Sequence, residues 1–193
     1  MKTRFGQGFQ VEIKVLTPTE DCEDFKETLQ TIQSISPVTL DEATEEGLTD
    51  EVALNLEQTK EAAGKVSPDG YLVTLIDDSD PRGYLIKKSA SSPAGISPKE
   101  LCTFFVEELR VKKVQDHLES TYSECVLRER QDTKVRYEVG SNGLKIASLF
   151  SDIENSKTEL SVADYGISQT SLEQVFNMHA AEAELAKKGT VDN

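Results

Sequence analysis

The feature that most constrains the fold is a strict alternation of apolar and polar residues near the start of the sequence. Apolar side chains stand at every second position, at Phe9, Val11, Ile13 and Val15. A period of two places these side chains on one face of a β-strand and the intervening polar ones on the other. Thr17-Pro18 is expected to close the strand, because proline cannot donate a hydrogen bond to a neighbouring strand. One face of this strand therefore lies on a core.

The later part of the sequence predicts a regular series of helices and strands. A helix is expected to begin at Ser97, which can cap it, with Pro98 at the first helical position and Glu100 completing a capping box. Two strands follow at 124–129 and 133–139, with a tight turn between them. A helix from about Ile146 to Ile153 and a strand from Leu160 to Tyr165 come next.

A last capping box at 170–173 predicts one more helix at the end of the chain. Leaving out residues 17–96, the order is strand, helix, strand, strand, helix, strand, helix. A βαββαβ order favours an α+β fold of the ferredoxin-like kind, an antiparallel sheet with helices on one face. The final helix is then an addition to that fold.

Negative charge is concentrated in one part of the 193-residue chain. The whole sequence has 35 acidic and 21 basic residues, for a net charge of −14. Residues 20–61 include 13 acidic residues and only two basic ones, Lys26 and Lys60. Such a block is expected to stay solvated, although a helix is plausible at 50–63 and a basic partner could dock on it. The overall charge argues against binding to nucleic acids and to anionic lipid surfaces.

These patterns divide the chain into four parts. Residues 71–87 contain two apolar runs around a turn rich in aspartate, proline and glycine, which predicts a β-hairpin with a long loop. Residues 89–95 read as a linker. The predicted organisation is an opening strand at 1–16, an acidic insertion with the hairpin at 17–96, the remainder of the sheet domain at 97–182, and a flexible tail at 183–193.

Three features of the sequence bear on its cellular location. No apolar run approaches the ~20 residues that cross a bilayer. Lys2, Arg4 and Glu12 interrupt any signal peptide. The cysteines are too scattered for a disulfide framework or a zinc site, which favours a reducing compartment. We therefore expect an intracellular protein that does not insert into a membrane.

The candidate sites for chemistry in this sequence each have a simpler structural explanation. Asp77, Asp78 and Asp80 could suggest a cation site, but they lack the further oxygen ligands of a calcium loop, so a solvated turn is favoured. His117 and His179 have no partner at metal-ligand spacing. No phosphate-binding loop is present. We expect no catalytic residue, no cofactor and no metal in this chain. Five residues precede proline and could be phosphorylated: Thr17, Ser36, Ser67, Ser92 and Ser97.

One long segment carries a family resemblance. The sequence DYGISQTSLEQVF at 164–176 resembles the C-terminal motif of subfamily A ATP-binding cassette (ABC) transporters. The segments at 2–9 (KTRFGQGF) and 126–137 are similar to the opening segment and the hairpin of the same regulatory domain. The resemblance covers residues 1–16 and about 114–180, and residues 17–110 match nothing in that family.

The resemblance implies a cytosolic regulatory domain of a lipid-exporting transporter, on the cytoplasmic side of a membrane. In that family the domain follows the second nucleotide-binding domain, so residues 1–16 would be the junction between the two. The implied partners are the neighbouring nucleotide-binding and regulatory domains. ATP and magnesium would be bound by the parent transporter and not by this chain.

The resemblance also implies a set of structural and interaction residues. Ser168, Gln169 and Thr170 could either cap the last helix or contact a partner domain. Leu172, Val175 and Phe176 could face the domain's own sheet or form an interface. The complete set is Phe5, Gly6, Phe9, Tyr165, Ser168, Gln169, Thr170, Leu172, Glu173, Val175 and Phe176.

Two other functions remain open from the sequence. A free-standing ferredoxin-like module could pair its sheet edges with itself or with another protein. A small enzyme on the same fold would need a pocket in which polar groups converge.

Overall fold

A computed structural model describes residues 8–35, 53–77, 80–141 and 143–169. The chain divides into two compact units. The sheet unit takes in the chain up to Leu16 and from Val111 onward, and the helical unit is Thr17–Arg110. In chain order the elements are β1 (Gly8–Val15), α1 (Glu23–Gln33), α2 (Leu56–Val66), α3 (Tyr71–Asp77), α4 (Tyr84–Ala90), α5 (Pro98–Thr121), β2 (Cys125–Gln131), β3 (Lys134–Gly140), α6 (Ile146–Ser156) and β4 (Val162–Gln169).

The sheet unit is built on a four-stranded antiparallel sheet in the order β2-β3-β1-β4. All four strands were predicted. The bounds of β1, β2 and β3 lie within about two residues of the expected ones, whereas β4 begins two residues later and ends four residues later than expected. The turn between β2 and β3 falls at Asp132-Thr133, where Asp132 has a φ of +48°. Aspartate tolerates this left-handed conformation better than most residues, which suits it to a tight hairpin.

The register places the apolar residues of β1 on the core. Ile13 lies opposite Val135 of β3 on one side and Tyr165 of β4 on the other. Directly opposed residues of an antiparallel pair share a face, so the apolar residues of all three strands gather on one side. The buried core of the sheet unit consists of Phe9, Val11, Ile13, Val15, Val111, Val114, Leu118, Val135, Tyr137, Val139, Leu149, Ile153, Leu160 and Val162.

Helix α5 begins as the sequence predicts. The Ser97 hydroxyl oxygen accepts a hydrogen bond from the backbone N–H of Glu100 at 3.1 Å, as an N-cap does. The helix then continues for 24 residues. Its first part belongs to the helical unit and the part from Val111 onward to the sheet unit. The helix continues without a break past Leu109 to Thr121.

The predicted β-hairpin at 71–87 is wrong, because both of its apolar runs are helical. They form α3 and α4, with the turn between them. The run from Tyr71 to Ile76 is apolar enough to satisfy a strand, but its buried members are Leu72, Leu75 and Ile76. This spacing of three and four residues is that of a helix face. The neighbouring helices of the unit bury that face, and tertiary packing overrides the β propensity of the run.

The acidic stretch also contributes to the packed helical unit. Helix α1 lies inside it and buries Phe25, Thr28 and Ile32. The helix considered plausible at 50–63 is α2, which is opened by a capping box between Asn55 and Gln58. Residues 17–110 contain 20 acidic and 8 basic residues, so −12 of the chain's −14 belongs to this unit. That residues 17–96 are an insertion stays a prediction.

Two charged side chains of α5 are buried inside the helical unit. The Arg110 guanidinium donates two hydrogen bonds of 2.8 Å to the Asp24 carboxylate, although only 6% of the Arg110 side chain is exposed. The Glu108 carboxylate accepts a hydrogen bond from the Tyr71 hydroxyl at 3.0 Å. Buried charges need partners of this kind to offset their loss of hydration. These contacts tie α5 to α1 and α3.

The three cysteines lie in different surroundings. Hydrogen bonds from Thr19, followed by the Arg110 guanidinium, lower the pKa of the Cys22 thiol. Burial raises the pKa of Cys102 to about 12 and that of Cys125 to about 11. Hydrogen bonds to a thiolate lower the pKa of a thiol and burial raises it, which accounts for the contrast.

Candidate interaction surface

The side of the sheet that faces away from the core carries polar and charged residues, and we call it the polar face. The register arranges its side chains in three rows that cross all four strands. Two open depressions run along it. In the order β2, β3, β1, β4 the rows are Gln131-Lys134-Lys14-Asp164, Glu129-Arg136-Glu12-Gly166 and Val126-Glu138-Gln10-Ser168.

Ion pairs between strands hold several of these charges in place. The Lys134 ammonium lies 3.0 Å from a carboxylate oxygen of Glu12 on the neighbouring strand. The guanidinium of Arg136 lies 2.8 Å from the Glu129 carboxylate. These side chains are between 31% and 52% exposed, so each pair stabilises the fold by about 0–1 kcal/mol at most. Their main effect is to order the charged groups of the surface.

A third ion pair, at the β2 edge, also orders charged side chains. The Arg128 guanidinium lies 2.8 Å from Glu138. Arg128 falls where the pairing of β2 with β3 shifts register, between Leu127 and Glu129. A bulge of this kind twists an edge strand and re-aims the side chain at the bulge. Charge and bulge together also discourage another strand from pairing with this edge.

Two lysines meet at one corner of the polar face. Lys14 and Lys134 are direct cross-strand partners, and Asp164 is the partner of Lys14 on the other side. Like charges placed directly opposite each other in a sheet are unfavourable. The Glu12 carboxylate beside the Lys134 ammonium and the position of Asp164 beside Lys14 offset this repulsion, so the corner carries charges of both signs.

Gly166 has no side chain, so the surface of the polar face is flat where the row that contains Glu12 and Arg136 reaches β4. A Cβ atom added at this position would meet no atom within 4 Å. A side chain here would therefore stand on the surface without disturbing the sheet. Glycine in a strand interior is often found where another backbone approaches closely.

Predicted site residues from the first and the last strand lie side by side, because β1 pairs with β4. Phe9 of β1 is 8% exposed and lies in the core, and its cross-strand partner is Gln169 at the end of β4. Ser168 is exposed on the polar face opposite Gln10. Ser168 and Gln169 thus pair as residues of a strand. Whether they also cap a following helix or contact a partner stays a prediction.

Tyr165 lies on the other side of β4, towards α6. Its hydroxyl donates a hydrogen bond of 2.7 Å to the Glu154 carboxylate, which raises the pKa of Tyr165. Its ring centroid lies 6.0 Å from that of Phe150, and the Lys157 ammonium lies 5.8 Å from its centroid. Tyr165 therefore anchors β4 to α6 and takes no part in the polar face. The remaining predicted site residues lie outside the described residues: Phe5, Gly6, Thr170, Leu172, Glu173, Val175 and Phe176.

Sequence reasoning missed most of the polar face. It used the apolar half of the alternating pattern in β1 and β3 and passed over the polar half, which contains Lys14, Lys134 and Arg136. The signal was present, because a period of two assigns polar residues to a shared face as firmly as apolar ones. What the sequence could not supply was the register that sets these residues side by side.

Of the residues weighed for metal binding, His117, Asp77 and Asp80 have protein partners, and Asp77 pairs with Lys60. His179 and Asp78 lie outside the described residues. The His117 Nε2 atom lies 3.1 Å from a carboxylate oxygen of Asp152, which also accepts a hydrogen bond of 2.7 Å from the Tyr122 hydroxyl. Burial, together with this hydrogen bond, raises the pKa of Tyr122. Asp80 forms an ion pair with Arg82. Within residues 8–35, 53–77, 80–141 and 143–169, no three His, Cys, Asp or Glu side chains are placed to hold a metal ion together.

In the described part of the chain, no helix combines the length and the apolar composition that are needed to cross a bilayer.

Comparison with known proteins confirms the family resemblance for the later part of the chain. Residues 105–169 match the family described as ABCA1-like, C-terminal R1 regulatory domain. ATP-binding cassette sub-family A member 2 of Homo sapiens and that of Rattus norvegicus are each 38% identical over 66 residues. Sub-family A member 13 of Homo sapiens is 35% identical over 79 residues.

These matches cover a small share of the relatives. They span 34% of this chain and 3% of the member 2 proteins, and 41% of this chain and 2% of the member 13 protein. The family match begins within α5 and runs through β2, β3 and α6 to the end of β4. The family match thus lies in the sheet unit, apart from residues 105–110 of α5, which belong to the helical unit.

Proposed function

We propose that the sheet unit is a non-catalytic regulatory domain of a subfamily A ABC transporter. The observation that carries this proposal is the match of residues 105–169 to the R1 regulatory domain, which takes in three of the four strands. The unit would act from the cytoplasmic side of the membrane. ATP and magnesium would be bound by the cassettes of the parent transporter.

The arrangement of the sheet supports the ferredoxin-like form of this domain. Read from the other edge, the strand order is β4-β1-β3-β2. The domain consists of two strand–helix–strand units, β1-α5-β2 and β3-α6-β4. In the sheet, β3 lies between the two strands of the first unit, and β1 lies between the two strands of the second. On this proposal, residues 17–96 are an insertion between β1 and α5. The start of the family match at residue 105 supports this division.

The polar face is the surface through which we expect the domain to dock. An antiparallel sheet can leave one face open to solvent, so exposure alone identifies no partner. Here the open face is flat at Gly166 and carries charges of both signs that are ordered by ion pairs. These properties fit a polar protein surface with complementary charges. The proposed partners are the neighbouring nucleotide-binding and regulatory domains of the transporter.

Docking would regulate transport if the contacts differ between two states of the transporter. A domain that binds one arrangement of the nucleotide-binding domains more tightly shifts the population towards that arrangement. The free-energy difference between the two arrangements changes by the difference in the domain's binding free energy for them, which is typically about 1–3 kcal/mol for coupled sites. ATP turnover and lipid movement would change accordingly.

The test introduces a side chain into the docking surface without affecting the fold. Gly166→Gln adds a neutral side chain where a Cβ meets no other atom, and it should raise strand propensity. Ala147→Gln is the matched control, because it adds the same side chain to an exposed position on α6, in the other layer of the unit. We expect Gly166→Gln in the parent transporter to change ATP hydrolysis and lipid transport, and Ala147→Gln to leave both unchanged. If both variants match the unsubstituted transporter, regulation through the polar face is wrong.

A second candidate is an interaction module that pairs sheet edges, and the exposed edge of β4 favours it. The stretch from Tyr165 to Gln169 has no charged residue, whereas the opposite edge strand has charged residues and a bulge. Edge pairing between two copies would produce a dimer. Sedimentation equilibrium of the purified chain tests this directly, and a monomer at all concentrations would exclude self-pairing.

A further inference from the structure

An apolar patch lies beside β4, on the helix side of the sheet unit. Ile146 and Phe150 of α6 are 39% and 40% exposed, although they lie on the same helix as the fully buried Leu149 and Ile153. Phe150 also contacts the ring of Tyr165, which is partly buried against the core together with Ile167. We call Ile146, Phe150, Tyr165 and Ile167 the α6–β4 patch. Apolar surface left in water is unfavourable, so contact with another apolar group would stabilise this patch.

The direction of the chain places the next residues close to this patch. Five residues, 157–161, join α6 to β4, and Tyr165 contacts both Glu154 and Phe150. Strand β4 therefore runs back along α6, and its end at Gln169 lies towards the start of that helix. Gln169 is about 13 Å beyond Tyr165 at ~3.3 Å per residue, and Ile146 is about 6 Å beyond Phe150 at ~1.5 Å per residue. The chain thus leaves the sheet near the Ile146 end of the patch.

The sequence that follows has the pattern needed to cover it. Residues 170–182 lie outside the described residues, and a capping box at 170–173 predicts a helix there. Leu172, Val175 and Phe176 are spaced by three and four residues, which would place them on one helical face. A chain that reverses direction after Gln169 would carry this face over α6.

We propose that residues 170–182 of this same chain cover the α6–β4 patch, with Leu172, Val175 and Phe176 packed against Ile146 and Phe150. The contact lies within the chain and does not depend on the proposed function. On this proposal, the apolar residues of the C-terminal motif pack within the domain and do not form an interface with a partner. Docking of partner domains is then left to the polar face on the opposite side of the sheet.

Fluorescence can test the contact, because the chain contains no tryptophan. Phe150→Trp in the full chain introduces one indole into the patch. We expect its emission to lie at shorter wavelength, and its quenching by iodide to be weaker, than after the additional substitutions Val175→Ser and Phe176→Ser. Gln174→Ser is the matched control, since position 174 falls on the opposite side of the predicted helix, and it should leave emission and quenching unchanged.

Three further measurements keep the result decisive. Leu85→Trp, at a position 67% exposed in the helical unit, should show the same emission with and without the serine substitutions. Hydrogen exchange of β1 and β3 reports whether the sheet unit stays folded in the serine variant. In the chain without any substitution, nuclear Overhauser effects should connect the methyl groups of Ile146 with the ring of Phe176.

Two results would overturn the proposal. One is an indole at position 150 whose emission and quenching are the same with and without the serine substitutions, together with no Overhauser effect between Ile146 and Phe176. The other is emission that depends on protein concentration, because the patch would then be covered by a second copy of the chain.

Discussion

Truncating Ile13 should destabilise the sheet unit strongly, since this residue lies at the centre of the sheet. It is fully buried on β1, between Val135 of β3 and Tyr165 of β4. Ile13→Ala removes three carbon atoms, which costs about 2.4 kcal/mol at about 0.8 kcal/mol for each buried carbon group. The cavity left between three strands adds to this, and buried isoleucine-to-alanine changes cost about 2–5 kcal/mol in total. We expect about 3 kcal/mol.

The assay must report on the sheet unit alone, because two compact units can unfold separately. Hydrogen-exchange mass spectrometry across a urea series provides this through peptides from β1 and β3. With an m-value of about 1–3 kcal/mol per molar, the midpoint for these peptides should fall by about 1–3 M. Peptides from α2 in the helical unit serve as an internal control.

The matched control variant is Lys14→Ala, at the next position on the same strand. Its side chain is exposed on the polar face, so the expected change is within about 0.5 kcal/mol. A loss below about 1 kcal/mol for Ile13→Ala, or an equal loss for both variants, would refute the position of β1 at the centre of the sheet.

The remaining predictions concern the helical unit and the cysteines. Cys22 should react with iodoacetamide faster than Cys102 or Cys125 at pH 8, because its lowered pKa leaves more thiolate while burial raises the other two pKa values; equal rates by mass spectrometry would contradict this. Arg110→Met should destabilise the helical unit by about 1–3 kcal/mol, since it removes two charge-assisted hydrogen bonds to the Asp24 carboxylate. Hydrogen exchange of α1 peptides in urea measures that loss, and an unchanged midpoint would show that the pair adds nothing to stability.

Much of the sheet could be predicted from sequence because two of its strands, β1 and β3, alternate strictly. In β1 and β3 the apolar residues, such as Ile13 and Val135, and the charged residues, such as Glu12 and Arg136, each keep to one face. Ser97 and Glu100 marked the start of α5 for a similar reason, because a capping box depends on neighbouring residues only. Local patterns are sufficient where the structure that they specify is also local.

The helical unit could not be predicted in this way. Tyr71–Asp77 is rich in residues that favour strands, and its helical form depends on burying Leu72 and Ile76 against other helices. Arg110 finds Asp24 across 86 positions of the sequence, which no local pattern reveals. The polar face likewise required the register, since Lys14 and Lys134 become neighbours only when β1 and β3 pair.

The most direct measurement on the central claim is nuclear Overhauser spectroscopy of the isotopically labelled full chain. Backbone contacts should connect β1 with β3, through pairs such as Gln10 and Glu138, and β1 with β4, through Gln10 and Ser168. Both sets of contacts together would establish the pairing of β1 with β3 and with β4, which sets the three rows of the polar face side by side. Contacts of β1 with only one of these strands, or with residues of the helical unit, would contradict the sheet and the docking surface inferred from it.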